Sequence, residues 1–138
     1  MAAYISTATV NFTMGNGLGI YQGSEWVVPI TISERDDSST DETPIDLTGA
    51  EGRCSIKKEA NFDIPLLEPT VVITDPKNGR LELHLTNEDT EISEITGDNA
   101  QDVTVLQYDV YLDFPNGVTN RILQGYVEVS PSVTKESE

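Results

Sequence analysis

Arg80-Leu81-Glu82-Leu83-His84-Leu85 alternates apolar and polar residues without a break. Leu81, Leu83 and Leu85 point one way and Glu82 and His84 the other, the period-2 pattern of a strand with one buried face. Upstream, Asp75-Pro76-Lys77-Asn78-Gly79 combines the strongest turn-forming residues, and the segment from Leu66 to Thr74 before it predicts another strand, interrupted by Pro69. Downstream, Thr86-Asn87-Glu88-Asp89 has the composition of a helix N-terminus, with Thr86 as cap and acids in the first turn. Thr90, Ile92 and Ile95 would line the inner side of a short helix over about residues 86–95, ended by Gly97. Gln107 to Phe114 alternates again, with Tyr108, Val110, Leu112 and Phe114 inward. Pro115-Asn116-Gly117 is a hairpin turn of favoured chemistry, and Thr119 to Val129 predicts the returning strand. Gly125 within it marks a bulge or a tight backbone contact.

The first half repeats the style less cleanly. Tyr4 to Phe12 alternates weakly through Ile5, Ala8, Val10 and Phe12, and Gly15-Asn16-Gly17-Leu18-Gly19 breaks the pattern. Glu25 to Ile32 reads as a strand that contains Pro29, and proline confines it to an edge or a bulge. Residues 33–43 form an acidic, serine-rich stretch with nothing to bury, predicted as a mobile hairpin tip. Ile45 to Leu47 is extended and ends in Thr48-Gly49. Gly52 to Lys58 follows as a strand with Cys54 and Ile56 on its inner side. Trp26, Tyr108, Phe114 and Tyr126 fit core positions. Short strands at regular spacing with one short helix predict an antiparallel, immunoglobulin-like β-sandwich. The domain would span residues 1–134, with a polar tail over 135–138.

Composition narrows the function. The 138 residues include 24 Asp and Glu against 8 Lys and Arg, a formal charge of −16. That sign disfavours nucleic-acid and anionic-membrane partners, whose phosphates attract the opposite charge. Cys54 is the sole cysteine, so no intramolecular disulfide forms. The N-terminal residues lack the pattern of a signal peptide, and no apolar run approaches the roughly 20 residues of a membrane span.

Catalytic chemistry finds little footing. His84, the single histidine, sits on the outward side of its strand, and Cys54 reads as a small buried hydrophobe. The glycines from Gly15 to Gly19 precede a strand and not a helix, so they do not make a phosphate cradle. Asp36, Asp37, Asp41 and Glu42 are hard oxygen donors for calcium, but their spacing lacks the EF-hand pattern and its glycine, and a solvated acidic loop explains them. The reading is therefore no enzyme, no cofactor and no metal. Tyr4, Tyr21 and Tyr111 fall where aromatic rings are exposed, which makes them interface candidates.

One ordered set of motifs runs nearly the length of the chain. It comprises Gly23-Ser24-Glu25-Trp26, Pro44-Ile45-Asp46-Leu47-Thr48-Gly49 and Arg53-Cys54-Ser55-Ile56-Lys57, then Gly79 to Thr86 with Thr90, Tyr108-Asp109-Val110, and Arg121-Ile122-Leu123-Gln124-Gly125 ahead of Val129-Ser130-Pro131. The set resembles a group of small phage virion domains, similar to the N-terminal domain of baseplate upper proteins and to β-sandwich modules at fibre bases. The resemblance covers about residues 9–134 and carries over no catalytic residue. It implies a virion structural protein, a tail, baseplate or fibre-base adaptor that docks other phage virion proteins and forms a homo-oligomer, assembled in the host cytoplasm. Two alternatives stand beside it: a carbohydrate- or host-receptor-binding module, and a capsid decoration or head–tail connector protein.

Overall fold

The computed structural model describes residues 8–35, 42–58, 65–92, 95, 97, 99 and 101–132. Ten strands follow in order: β1 (Ala8–Thr9), β2 (Ile20–Tyr21), β3 (Trp26–Thr31), β4 (Ser33–Arg35), β5 (Glu42–Pro44), β6 (Glu51–Lys57), β7 (Thr70–Asp75), β8 (Arg80–Leu85), β9 (Thr104–Asp113) and β10 (Thr119–Ser130). One sheet runs β6-β9-β10, with β1 and β2 following each other along the free side of β10. The other is β3-β8-β7, and β4 with β5 makes a separate hairpin.

The two sheets face each other as a β-sandwich. The chain changes sheet between β6 and β7 and again between β8 and β9. This partition of strands is the immunoglobulin-like one, with β3, β8 and β7 in one layer and β6, β9 and β10 in the other. The main pairings are antiparallel. Contrary to a wholly antiparallel expectation, β1 and β2 both run parallel to β10.

Alternation builds the core. Leu81, Leu83 and Leu85 of β8 are buried against Leu106, Tyr108, Val110 and Leu112 of β9, while Trp26 and Val28 of β3 close the layer. Phe12 sits at the centre of an aromatic group, edge-on to Trp26 at 5.7 Å and tilted against Tyr108 at 4.8 Å. Trp26 places its indole N–H on the Leu18 carbonyl at 2.9 Å, which satisfies the polar atom of a buried ring. Along one side the layers touch, with Gly52 so close to Val71 that an added Cβ would lie 2.3 Å from its Cγ1.

The predicted helix over about 86–95 is not found among the described residues. Its cap is: Thr86 N–H donates to Asp89, and Asp89 N–H donates to the Thr86 hydroxyl at 3.1 Å. One helical bond follows, from Thr90 N–H to the Thr86 carbonyl, and the next bonds shorten to spans of three and two residues. The chain gives up the helix because its groups are claimed elsewhere. Thr90, fully buried, donates its hydroxyl to the Ser24 carbonyl, and the Ile92 and Ile95 carbonyls accept the Gln22 side-chain amide at 2.7 and 3.0 Å. Thr90, Ile92 and Ile95 are nevertheless buried, as their spacing required. The only helix assigned among the described residues is a 3₁₀ turn at Pro76–Asn78, where the sequence predicted a turn.

The edge position expected of the Pro29 strand holds. β3 is an edge strand, so Pro29 costs the sheet no interior ladder bond. Asp46 caps the turn into Gly49 by accepting from the N–H and hydroxyl of Thr48, and these two bonds hold its carboxyl below the usual range. The acidic stretch enters through β4 and leaves through β5, which pair with each other, and the mobile tip expected of it falls on residues 36–41, outside the described residues.

Candidate interaction surface

Strand register decides what the outer face of the β6-β9-β10 sheet displays. Inner positions of β9 are buried leucine, tyrosine and valine, so Gln107, Asp109, Tyr111 and Asp113 face outward. Tyr111 pairs with Arg53 of β6 on one side and Arg121 of β10 on the other. Three strands thus deliver one row, Arg53–Tyr111–Arg121. The two guanidinium carbons lie 5.2 and 5.3 Å from the ring centroid, within cation–π range.

Each arginine is also tied to its surroundings. Arg53 holds Asp113 through two bonds, Nε to Oδ2 at 2.8 Å and Nη2 to Oδ1 at 3.1 Å. Thr119 donates to the same carboxylate at 2.7 Å. Arg53 first, and Thr119 second, keep the Asp113 carboxyl below its ordinary range. Arg121 donates from Nε and Nη2 to the Tyr111 hydroxyl at 3.0 and 2.7 Å and from Nη1 to Gln124 at 3.2 Å. The Tyr111 hydroxyl accordingly raises the Arg121 pKa.

Exposed pairs of this kind add little to stability. What they set is the arrangement: two guanidinium groups flank one aromatic ring across three strands. Beside the row lies a shallow concavity of about 340 Å³ lined by Thr9, Ser55, Lys57, Gln107, Asp109 and Gln124 among others.

The three predicted interface tyrosines do not converge. Tyr111 is in the row, and Tyr21 is 54% exposed at the far end of β10, where it pairs with Ser130. The nine positions between Arg121 and Ser130 separate them by roughly 30 Å along the strand. Tyr4 lies outside the described residues. Tyr126, expected in the core, is half-buried on the outer face opposite Gln107. The sequence reading did not single out Arg53 and Arg121, because pairing across three strands is invisible in local alternation.

His84 stands on the outer face of the other sheet, with Nε2 2.7 Å from Glu82 Oε1. Cys54 is buried, and burial pushes its thiol up to about 12, so it stays protonated at neutral pH. Among the described residues no three His, Cys, Asp or Glu side chains gather as metal ligands, and no helix is long and apolar enough to cross a membrane. Of the four carboxylates named for calcium, Asp36, Asp37 and Asp41 lie outside the described residues, as does the Glu42 side chain.

No family model and no curated protein matches this chain. Among solved structures it aligns with that of murine CRIg over 90% of its own length and 92% of that chain, with 9% sequence identity and a TM-score of 0.32. A likeness at that score carries no argument, and the strand partition above stands on the pairings alone.

Proposed function

We propose that this chain is a phage virion structural protein, an adaptor of the tail, baseplate or fibre base that docks neighbouring subunits. The observation that carries the reading is the Arg53–Tyr111–Arg121 row. Arginine and tyrosine are the residue types over-represented at the energetic centres of interfaces, and here they stand side by side on one sheet face. The outer positions of β6, β9 and β10 hold Arg53, Lys57 and Arg121 against Glu51, Asp109, Asp113 and Glu128. The chain as a whole carries a threefold excess of acids, so this face, with its charges nearly balanced, repels another acidic subunit less than the average surface does. The motif resemblance to phage virion domains supports the location.

Purified particles labelled with an antibody against this chain, viewed by negative-stain microscopy, test the reading. Label at the tail or baseplate is the expected result, and absence of the protein from the particle sinks it. Label on the head would move the assignment to a capsid decoration or connector role. A second reading, a carbohydrate- or receptor-binding module, draws on the polar concavity beside Tyr111, whose amide, hydroxyl and charged groups suit sugar hydroxyls. A glycan array without signal, in the presence and absence of calcium, removes it.

A further inference from the structure

The layers that touch at Gly52 and Val71 part along the opposite side, where the sheet edges are β1 and β3. Between those edges runs a groove of about 300 Å³ lined by Ala8, Val10, Leu18, Val28, Ile30 and Leu123 among others, with no charged side chain among its described lining residues. That is unusual ground in a protein in which 23% of residues are charged. The floor is the core itself, with Phe12 and Val28 at 1% and 2% exposure, while Val10 on the rim is 37% exposed. On its groove side β3 pairs with no described strand. Pro29, which lacks an N–H, breaks the ladder that a second β3 edge would need.

The direction of the chain identifies an occupant. Phe12 packs on Trp26 at the start of β3, whereas Ala8 shares the groove with Ile32 and Ser33 beyond its end. β1 therefore runs opposite to β3, and its first residue, Ala8, lies at the end of the groove that Ile32 and Ser33 also line. Residues 1–7, Met-Ala-Ala-Tyr-Ile-Ser-Thr, contain no charged side chain. Extended, they span about 25 Å at most, enough for the roughly 20 Å of β3. To lie in its own groove this arm would have to reverse at once. The arm of a neighbouring copy needs no reversal. The contact would also join two uncharged surfaces of a chain whose copies otherwise repel at −16.

The geometry points to arm exchange: residues 1–7 of one copy lie in the β1–β3 groove of another, adding apolar side chains over Phe12 and Val28. This inference stands independently of the virion reading. The test is sedimentation velocity at about 100 µM in physiological salt with three proteins of 138 residues. They are the unaltered chain, an arm variant with Tyr4→Asp and Ile5→Asp, and a groove variant with Val10→Asp. The unaltered chain is expected to sediment as a dimer or larger. Each variant is expected to lose at least about tenfold in affinity, because a carboxylate would be buried against an apolar surface.

An equimolar mixture of the two variants is expected to recover a dimer, since one intact arm then meets one intact groove. A circular dichroism melt close to that of the unaltered chain shows that each variant is folded, and the arm variant alters no described core residue. A monomeric unaltered chain overturns the inference. So do variants that associate as well as the unaltered chain, or a mixture that stays monomeric.

Discussion

Gly125→Ala should be among the most damaging single-methyl additions in the protein. The glycine has φ +152°, and a Cβ there would lie 2.3 Å from the Val10 carbonyl oxygen and 2.7 Å from Asn11 Oδ1. Both are held in place, so neither yields cheaply. The Val10 oxygen accepts the Tyr108 hydroxyl at 2.6 Å, and Asn11 Oδ1 accepts the Tyr126 N–H at 3.1 Å. Backbone strain alone costs about 1–3 kcal/mol. Relief by outward movement of the N-terminal segment weakens the Tyr108 bond and the bonds from Val10 and Phe12 N–H to the Gln124 and Tyr126 carbonyls, each worth about 1 kcal/mol. The total comes to about 3–5 kcal/mol, or a fall in Tm on the order of 10–15 °C for a domain of this size. Gly117→Ala is the control, since its φ is also positive but nothing lies within 4 Å of the added carbon, so only the strain remains. Thermal unfolding by circular dichroism measures both, and amide exchange at Val10 and Phe12 locates the loss. If Gly125→Ala melts no lower than Gly117→Ala, the close approach of β1 to β10 does not constrain the fold as argued.

Three further outcomes follow from single side chains. Cys54 should resist a thiol reagent at about pH 8 in the folded chain and react fully in denaturant, because its buried thiol is pushed up to about 12; rapid labelling of folded protein would contradict that burial. Asn120 is buried with its Nδ2 unpartnered, so Asn120→Val should stabilise by about 1 kcal/mol and raise the urea midpoint without changing the slope. A lower midpoint would show that the amide is satisfied. Asp113 has a lowered carboxyl pKa in the fold, beside Arg53 and Thr119. Its contribution is therefore complete above the ordinary range near 4 and fades as pH falls through the lowered folded value. The Tm gap between the unaltered chain and Asp113→Asn should shrink from about pH 7 to about pH 2.5, and an undiminished gap would rule out the Arg53 pairing as its cause.

The sequence revealed most where a strand carried its own signals. β8 was legible to the residue because strict alternation, a preceding turn and a following cap all agree. The final strand shows how such reading fails. A register shift between Arg121 and Leu123 turns both Ile122 and Leu123 inward. One extra residue reverses the parity of everything after it. Counting alternate positions from Ile122 sends Tyr126 into the core, while the shift puts Val127 and Val129 there and leaves Tyr126 outside. Gly125 was flagged as a bulge or a close contact, and it is the contact, with the bulge three positions earlier. The helix over 86–95 failed for a related reason. Its cap residues are local, but the Gln22 amide that takes the Ile92 and Ile95 carbonyls lies about 70 positions away. Arg53 is hidden from Tyr111 by distance in sequence as well, whereas Arg121 lies on the adjoining strand of the predicted hairpin and is missed because the register that sets it opposite Tyr111 is not visible in alternation alone.

β1 belongs to both surfaces singled out here. Thr9 pairs with Gln124, and its hydroxyl accepts the Gln124 amide on the outer sheet face, two places along β9 from Tyr111. Ala8 and Val10, on either side of Thr9, line the groove. The polar row and the apolar groove therefore meet along one short strand whose position depends on Gly125. A neighbouring copy that laid its arm in the groove would pass beside the face carrying Arg121 and Gln124. Sites that share a packed element couple energetically, whereas sites well apart add. If both surfaces serve one contact between copies, Arg121→Ala combined with the arm variant should depart from the sum of their separate effects on association. Additive losses would instead divide the protein into two independent docking surfaces, one for its own copies and one for a different subunit.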